Sequence, residues 1–505
     1  MKSLREIISN KPYMGWILFA ATLVIVFLLG LLASSIIERR AEAVFAYKPQ
    51  VDYPDWEPRN ALWGKNFPRE YQSYLRTSDT AFRSKYNGSA FIDMLEVDPR
   101  MVVLWAGYSF SKDYNQSRGH YYAVTDNRNI LRTGGPAATT PSPQPNTCWT
   151  CKSPDVPRLM KTIGPAEFYK GTWESKGHEI VNPIGCADCH DATTMNLRIS
   201  RPALTEAFQR MGKDITAVTH QEMRSLVCAQ CHVEYYFDMS RFEDVQYLVY
   251  PWDKGMTVDD MEKYYDAYAF SDWTHAISKA PMLKAQHPDY EVFLTGVHAK
   301  RGVACADCHM PYKSEGGQKF TDHHIQSPLN NIANSCQVCH REETDELIAD
   351  VYERQDRIIE NRDKLEELLV RAHVEAGKAW ELGAREEQME GILSLIRQAQ
   401  WRWDYAAAGH GNSFHSPVEI SRIIAAGIGR SQEARVKLAR LLASLGFNEE
   451  LPYPDIDTKA KAQAFIGLDM QKLNAEKAEF LRTMVPEWMK QAEEREKAWD
   501  EKTRQ

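Results

Sequence analysis

The chain has 505 residues, and 61 lysines and arginines against 69 acids leave a formal net charge of −8. A mildly acidic balance of that kind argues against a nucleic-acid partner, which demands a basic face. Hydrophobicity is ordinary, tryptophan and tyrosine are frequent, and ten cysteines set the remaining questions.

Trp16 to Ile37 is a run of 22 residues without a charge. As a helix rising about 1.5 Å per residue it reaches roughly 33 Å, enough to cross a bilayer. Lys2, Arg5 and Lys11 precede it, so the N-terminus is expected to stay cytoplasmic and the rest to be exported. Ala33-Ser34-Ser35 and Ala41-Glu42-Ala43 are the places where a signal peptidase could cut. Residues 1–45 are read as a signal or anchor segment. The remainder is expected in the periplasm, free or held to the inner membrane. Ten cysteines in an exported region call for disulfides or for another covalent use.

Residues 46–345 carry every cysteine, in five C-x-x-C pairs: Cys148/Cys151, Cys186/Cys189, Cys228/Cys231, Cys305/Cys308 and Cys336/Cys339. Four are followed at once by a histidine, namely His190, His232, His309 and His340. That is the c-type haem attachment signature: the thiols add to the haem vinyl groups and the next residue lies under the iron. Zinc ribbons join such pairs two by two, so five would strand one, and they need no adjacent histidine. The pattern predicts five covalently bound haem c groups. The first pair reads Cys148-Trp149-Thr150-Cys151-Lys152, with lysine in place of histidine. Electron-carrying c-haems have two strong protein ligands and no open position. A lysine amine binds iron only when deprotonated, through burial or the metal itself. One altered ligand among five marks one haem for a different task, binding and reducing a small molecule on an open face.

The other four haems each need a second ligand, and eleven histidines remain: His120, His178, His220, His275, His287, His298, His323, His324, His373, His410 and His415. Counting alone does not assign them. The longest gap between motifs opens with Glu234-Tyr235-Tyr236-Phe237 and later reads Met282-Leu283-Lys284-Ala285-Gln286-His287-Pro288. Carboxylate, amide and main-chain oxygens are what a hard cation such as Ca²⁺ prefers. Tyrosine and histidine beside an open haem could donate protons and hydrogen bonds to an oxyanion. Between the motifs, stretches such as 133–147 are rich in Pro, Gly and Thr and predict loops and short helices with little sheet.

From Asp345 to Leu382 apolar residues recur at helical spacing, including Leu347, Ile348, Val351, Ile358, Leu365, Leu368 and Leu369. Similar patterns occupy 386–408, 417–446 and 458–499. Residues 346–505 are therefore expected to form a region of about four long helices, with stripes suited to a core or to a second subunit. The fold class expected is a mainly α multihaem cytochrome c, with a haem-packed core, little β structure and long C-terminal helices.

Cys-Trp-Thr-Cys-Lys with Ser153-Pro154-Asp155, Cys-Ala-Gln-Cys-His with Val-Glu-Tyr-Tyr-Phe, and Leu-Lys-Ala-Gln-His-Pro together resemble the pentahaem cytochrome c nitrite reductase family, also called cytochrome c-552. The resemblance runs from about residue 50 into the C-terminal helices. It implies a periplasmic, ammonia-forming respiratory enzyme, homodimeric, serving nitrate assimilation. It also implies electrons from a membrane quinol-oxidising or periplasmic cytochrome, relayed through four bis-histidine haems. Residue by residue, it makes Lys152 the iron ligand of the active haem, Arg132 the catalytic arginine, and Tyr235 and His287 the other pocket residues. Glu234, the carbonyls of Tyr235 and Lys284, and Gln286 become the ligands of one Ca²⁺. The distal haem ligands become His120, His298, His323 and His415, with His324 as a competitor beside His323.

Two other readings differ in class. A pure electron relay would hold only six-coordinate low-spin haems, and Lys152 argues against it. An oxidoreductase acting on hydroxylamine or sulfite would use the same kind of pocket.

Overall fold

The computed structural model describes residues 9–45, 49–137, 140–409 and 411–503; His410 lies outside them. Helix α1 (Pro12–Phe45) contains the uncharged run and extends through Glu38, Arg39 and Arg40. Within it, an 18-residue apolar window has a mean hydropathy of 2.7, and none of that window is buried against the rest of the protein. A helix apolar all round belongs in a protein core or a bilayer, and protein does not cover the apolar window of this one.

The stretch carrying the cysteines is built from short pieces. Single turns of helix such as Cys186–Cys189 and Cys305–His309 place their two thiols three residues apart on one face. Among the described residues the β structure consists of four two-stranded antiparallel ladders. The ladder that follows the third motif pairs Tyr236–Asp238 with Tyr247–Val249, Tyr236 opposite Val249. The last joins Tyr312–Glu315 to Gln318–Thr321 and ends two residues before His323.

The C-terminal helices are α2 (Thr344–Glu381), α3 (Glu386–Ala408) and α4 (Pro417–Ser444), packed on one another. Val351, Ile358, Leu365 and Leu369 of α2 are buried with Ile392 and Ile396 of α3 and Ile420, Ile424 and Leu438 of α4. The expected helix over 458–499 is instead two, α5 (Lys459–Phe465) and α6 (Met470–Thr503). Gly467 breaks it: at φ +78° it takes the left-handed conformation that ends a helix.

These helices reach into the cysteine-bearing part. Gln400 Nε2 of α3 donates to the Leu104 carbonyl at 2.6 Å. His373 of α2 stacks on His275 with ring centroids 3.7 Å apart, both fully buried. Helix α6 lies along residues 128–182: Arg495 donates to the His178 carbonyl at 2.9 Å, and Trp488 meets Trp173 with centroids 5.6 Å apart.

Candidate haem and substrate site

Each of the four motif histidines faces one of the histidines expected opposite it. Ring centroids are separated by 6.1 Å for His190 and His323, 6.2 Å for His309 and His415, 6.3 Å for His340 and His298, and 6.4 Å for His232 and His120. Two metal–imidazole bonds of about 2 Å plus two ring radii of about 1.1 Å require about 6 Å between centroids. The four gaps therefore fit an iron held between two imidazoles. Nδ1 of His190, His309 and His323 lies 2.9, 2.9 and 2.8 Å from the main-chain oxygens of Met195, Gln326 and Thr321. That leaves each Nε2 for the gap, the arrangement that orients a metal-binding histidine. Burial lowers the pKa of His120 to about 3 and those of His190 and His415 to about 4, and it lowers His298, His309 and His323 as well. These are neutral imidazoles, the form that binds metal. His232 shifts the other way: burial would lower it, but the Asp289 carboxylate 3.4 Å from its Nδ1 prevails.

The remaining histidines do other things. His324 is buried, its main-chain N–H on Asp322 at 3.1 Å, and among the described residues it faces no motif histidine. His275 and His373 stack, with the Val103 carbonyl on His275 Nε2 and Ser278 and Gln400 on the nitrogens of His373. His178 lies 3.8 Å from Glu179, and His220 opens the helix that leads to Cys228.

The cysteine pairs adjoin one another. Cys151 is close enough to Cys231, and Cys228 to Cys305, for each thiol to shift the other. The motif bearing His232 is thus the neighbour of both the Lys152 motif and the His309 motif.

The Lys152 turn is fixed from both sides. Trp149 is fully buried, stacks on Trp173 at 4.8 Å, and donates Nε1 to the Trp173 carbonyl at 2.8 Å. Buried Arg201 donates to the carbonyls of Thr150 at 3.0 Å and Ser153 at 2.8 Å, its charge balanced by Asp188. Lys152 and Arg132 lie within electrostatic reach of Cys148, Tyr235 within reach of Cys148 and Cys151, and His287 within reach of Lys152. Burial pushes the Tyr235 phenol well up, with Cys151 and Cys148 adding to it. Burial, then Lys152, holds the His287 imidazole far below its usual value. Arg132 donates to the Asp113 carbonyl at 3.0 Å, and its guanidinium lies 4.4 Å from the Phe110 centroid.

Glu234 is fully buried, and among the described residues no cation pairs with it. Its Oε1 accepts from the Tyr265 hydroxyl at 2.9 Å and its Oε2 from the Gln286 main-chain N–H at 2.6 Å. The Gln286 amide reaches the Lys284 carbonyl at 3.4 Å. Burial raises Glu234 well above the carboxylate range, Asp272 to about 7 and Glu291 to about 8. Buried acids without a counter-charge, beside amide and main-chain oxygens, fit a hard cation.

Three residues here escape a reading by motif. Asp404 of α3 accepts from Lys284 Nζ at 2.6 Å, both side chains out of solvent. Phe110 lies between two cations, 4.8 Å from Lys284 Nζ and 4.4 Å from the Arg132 guanidinium. Asp289 partners His232. Asp289 alone had a signal, two residues beyond His287; the others meet the site across more than a hundred residues or as one aromatic among many.

Four facing histidine pairs beside a fifth attachment motif define a multihaem c-type cytochrome. A family model for cytochrome c552 matches residues 59–499, and the chain belongs to that family. It is 57% identical to the cytochrome c-552 of Parabacteroides distasonis, covering 96% of this chain and 97% of that one. It is 46% identical to the cytochrome c-552 of Desulfotalea psychrophila, covering 96% and 94%. Its structure is similar to that of the catalytic subunit of cytochrome c nitrite reductase from Desulfovibrio desulfuricans, a protein with two calcium sites. That match has a TM-score of 0.73 and 30% identity over 84% of this chain and 91% of the other.

Proposed function

We propose that the chain reduces nitrite to ammonium in the periplasm, at the Lys152 site, with electrons arriving through the four bis-histidine sites. The observation that carries this is the contrast among the five motifs. Four have histidine facing histidine at an iron-holding distance, whereas the fifth has Lys152 and Arg132 within electrostatic reach of Cys148, Tyr235 within reach of both its cysteines, and His287 within reach of Lys152. Five bound haem c groups would supply one-electron transfer and, above Lys152, a metal face open to substrate.

The residues themselves bind and orient an oxyanion. Arg132 brings a fixed charge and a planar fork of donors, aimed by the Asp113 carbonyl and the Phe110 face. His287 and Tyr235 bring an N–H and an O–H to oxygens that gain charge as N–O bonds break. Glu234, the Tyr235 and Lys284 carbonyls and Gln286 would hold one Ca²⁺, which fixes the loop bearing His287 and adds positive potential. His120, His298, His323 and His415 would be the distal ligands of the His232, His340, His190 and His309 haems.

Helix α1 would anchor the protein to the inner membrane beside a quinol-oxidising cytochrome, and α2 to α4 would pair two copies. Incubating reduced protein with nitrite tests the core of this reading: ammonium should appear in amounts equal to the nitrite consumed, and its absence would refute it.

A further inference from the structure

We propose that Lys477 of α6 is a positioning residue for Arg132, clamping the loop from which that arginine reaches the substrate. The inference rests on the reading of Arg132 as the substrate-binding arginine.

Lys477 is only 4% exposed although its side chain ends in an amine, and burial lowers the pKa of that amine to about 7. Its Nζ donates to Thr133 Oγ1 at 2.9 Å and to the Gly134 carbonyl at 2.7 Å, the two residues directly after Arg132. The faces of Phe480 and Trp173 lie 4.8 and 5.5 Å away. Among the described residues no carboxylate forms an ion pair with it. Burying an amine without a counter-charge is costly, and a methionine would fill the same space without that cost. The return on the cost is two hydrogen bonds, both to the Arg132 loop.

The loop is shaped to receive the helix. Gly134 has φ +68°, a left-handed value that favours glycine. A Cβ on Gly135 would lie 2.3 Å from the Glu476 carbonyl and 2.7 Å from the Lys477 nitrogen, so main chain rests on main chain there. On the other side Asp113 accepts from the Leu131 N–H at 2.9 Å, and its carbonyl accepts from Arg132 itself at 3.0 Å. Arg132 is thus gripped between Asp113 and Lys477. The platform is firm, since α6 is bound further along through Trp488 and Arg495.

The test is nitrite affinity of the oxidised, haem-loaded protein, read as the optical change on titration, for wild type, Arg132→Lys, Lys477→Met and the double variant. Lys477→Met should weaken binding by roughly tenfold, a usual size for coupling between contacting groups. The haem spectrum without nitrite should stay unchanged. Added to Arg132→Lys it should cost little more, because both act through one guanidinium. Wild-type affinity in Lys477→Met, or losses that multiply in the double variant, would overturn the proposal while leaving the Arg132 reading intact. Wild-type affinity in Arg132→Lys would overturn both. If Lys477→Met does not fold, Thr133→Val removes one of the two acceptors, and the same loss in smaller measure is expected; unchanged affinity there refutes the clamp.

Discussion

Replacing Asp404 with leucine should cost far more stability than replacing Asp404 and Lys284 together. The carboxylate and ammonium are 2.6 Å apart, with side chains 0% and 1% exposed. At an effective dielectric of about 20 their attraction is about 6 kcal/mol. Desolvation at several kcal/mol per ion cancels most of it, so the intact pair adds little net stability. Removing Asp404 alone is different. It leaves an ammonium group 5.0 Å from the Trp105 ring and 4.8 Å from Phe110, with an expected cost of about 3–5 kcal/mol. Lys284→Met with Asp404→Leu removes both charges and should recover most of that loss. Guanidinium unfolding of the haem-loaded protein, followed by tryptophan emission that haem quenches in the folded state, reads the difference as a shift in midpoint at constant slope. A single variant costing under about 1 kcal/mol, or a double variant as unstable as the single, would refute the argument.

His323→Ala should abolish low-spin character at the haem bound through Cys186 and Cys189, whereas His324→Ala should leave all five haem spectra unchanged; the reverse result would exchange the two assignments. His287→Ala should lower nitrite turnover by roughly 10²–10³ with haem content intact, as expected for loss of one donor to a developing oxyanion, and a wild-type rate would remove His287 from the pocket. Deleting residues up to Arg40 behind a cleavable export signal should move the protein from the membrane fraction to the soluble periplasmic fraction, and continued membrane attachment would assign the anchoring to another surface.

Much of this was legible because haem attachment is written in adjacent residues. A C-x-x-C-H motif carries its own geometry, so the five motifs and the exceptional Lys152 could be found without any tertiary structure. The distal partners could not be paired that way. Nothing local links His120 to His232 or His415 to His309; the fold brings them within 6.4 and 6.2 Å. The helix expected over 458–499 failed at one residue, because its apolar period carries across Gly467 and periodicity does not register a backbone at φ +78°. Lys284 drew notice for its carbonyl, yet its amine ties the loop bearing Gln286 and His287 to Asp404, 120 residues away. Lys477 belongs to no motif, and its contact with Thr133 and Gly134 exists only in the fold.

The central claim is that the Lys152 site alone among the five is open to substrate and completes the reduction there. The most direct measurement combines, in one anaerobic titration, the electrons taken from a reduced dye per nitrite with the spectrum of Lys152→His. The account predicts six electrons and one ammonium per nitrite for the wild type. For Lys152→His it predicts five haems still attached, a shifted spectrum at one of them, and a much lower rate. Wild-type turnover in Lys152→His, or five low-spin haems that do not respond to nitrite in the wild type, would contradict it.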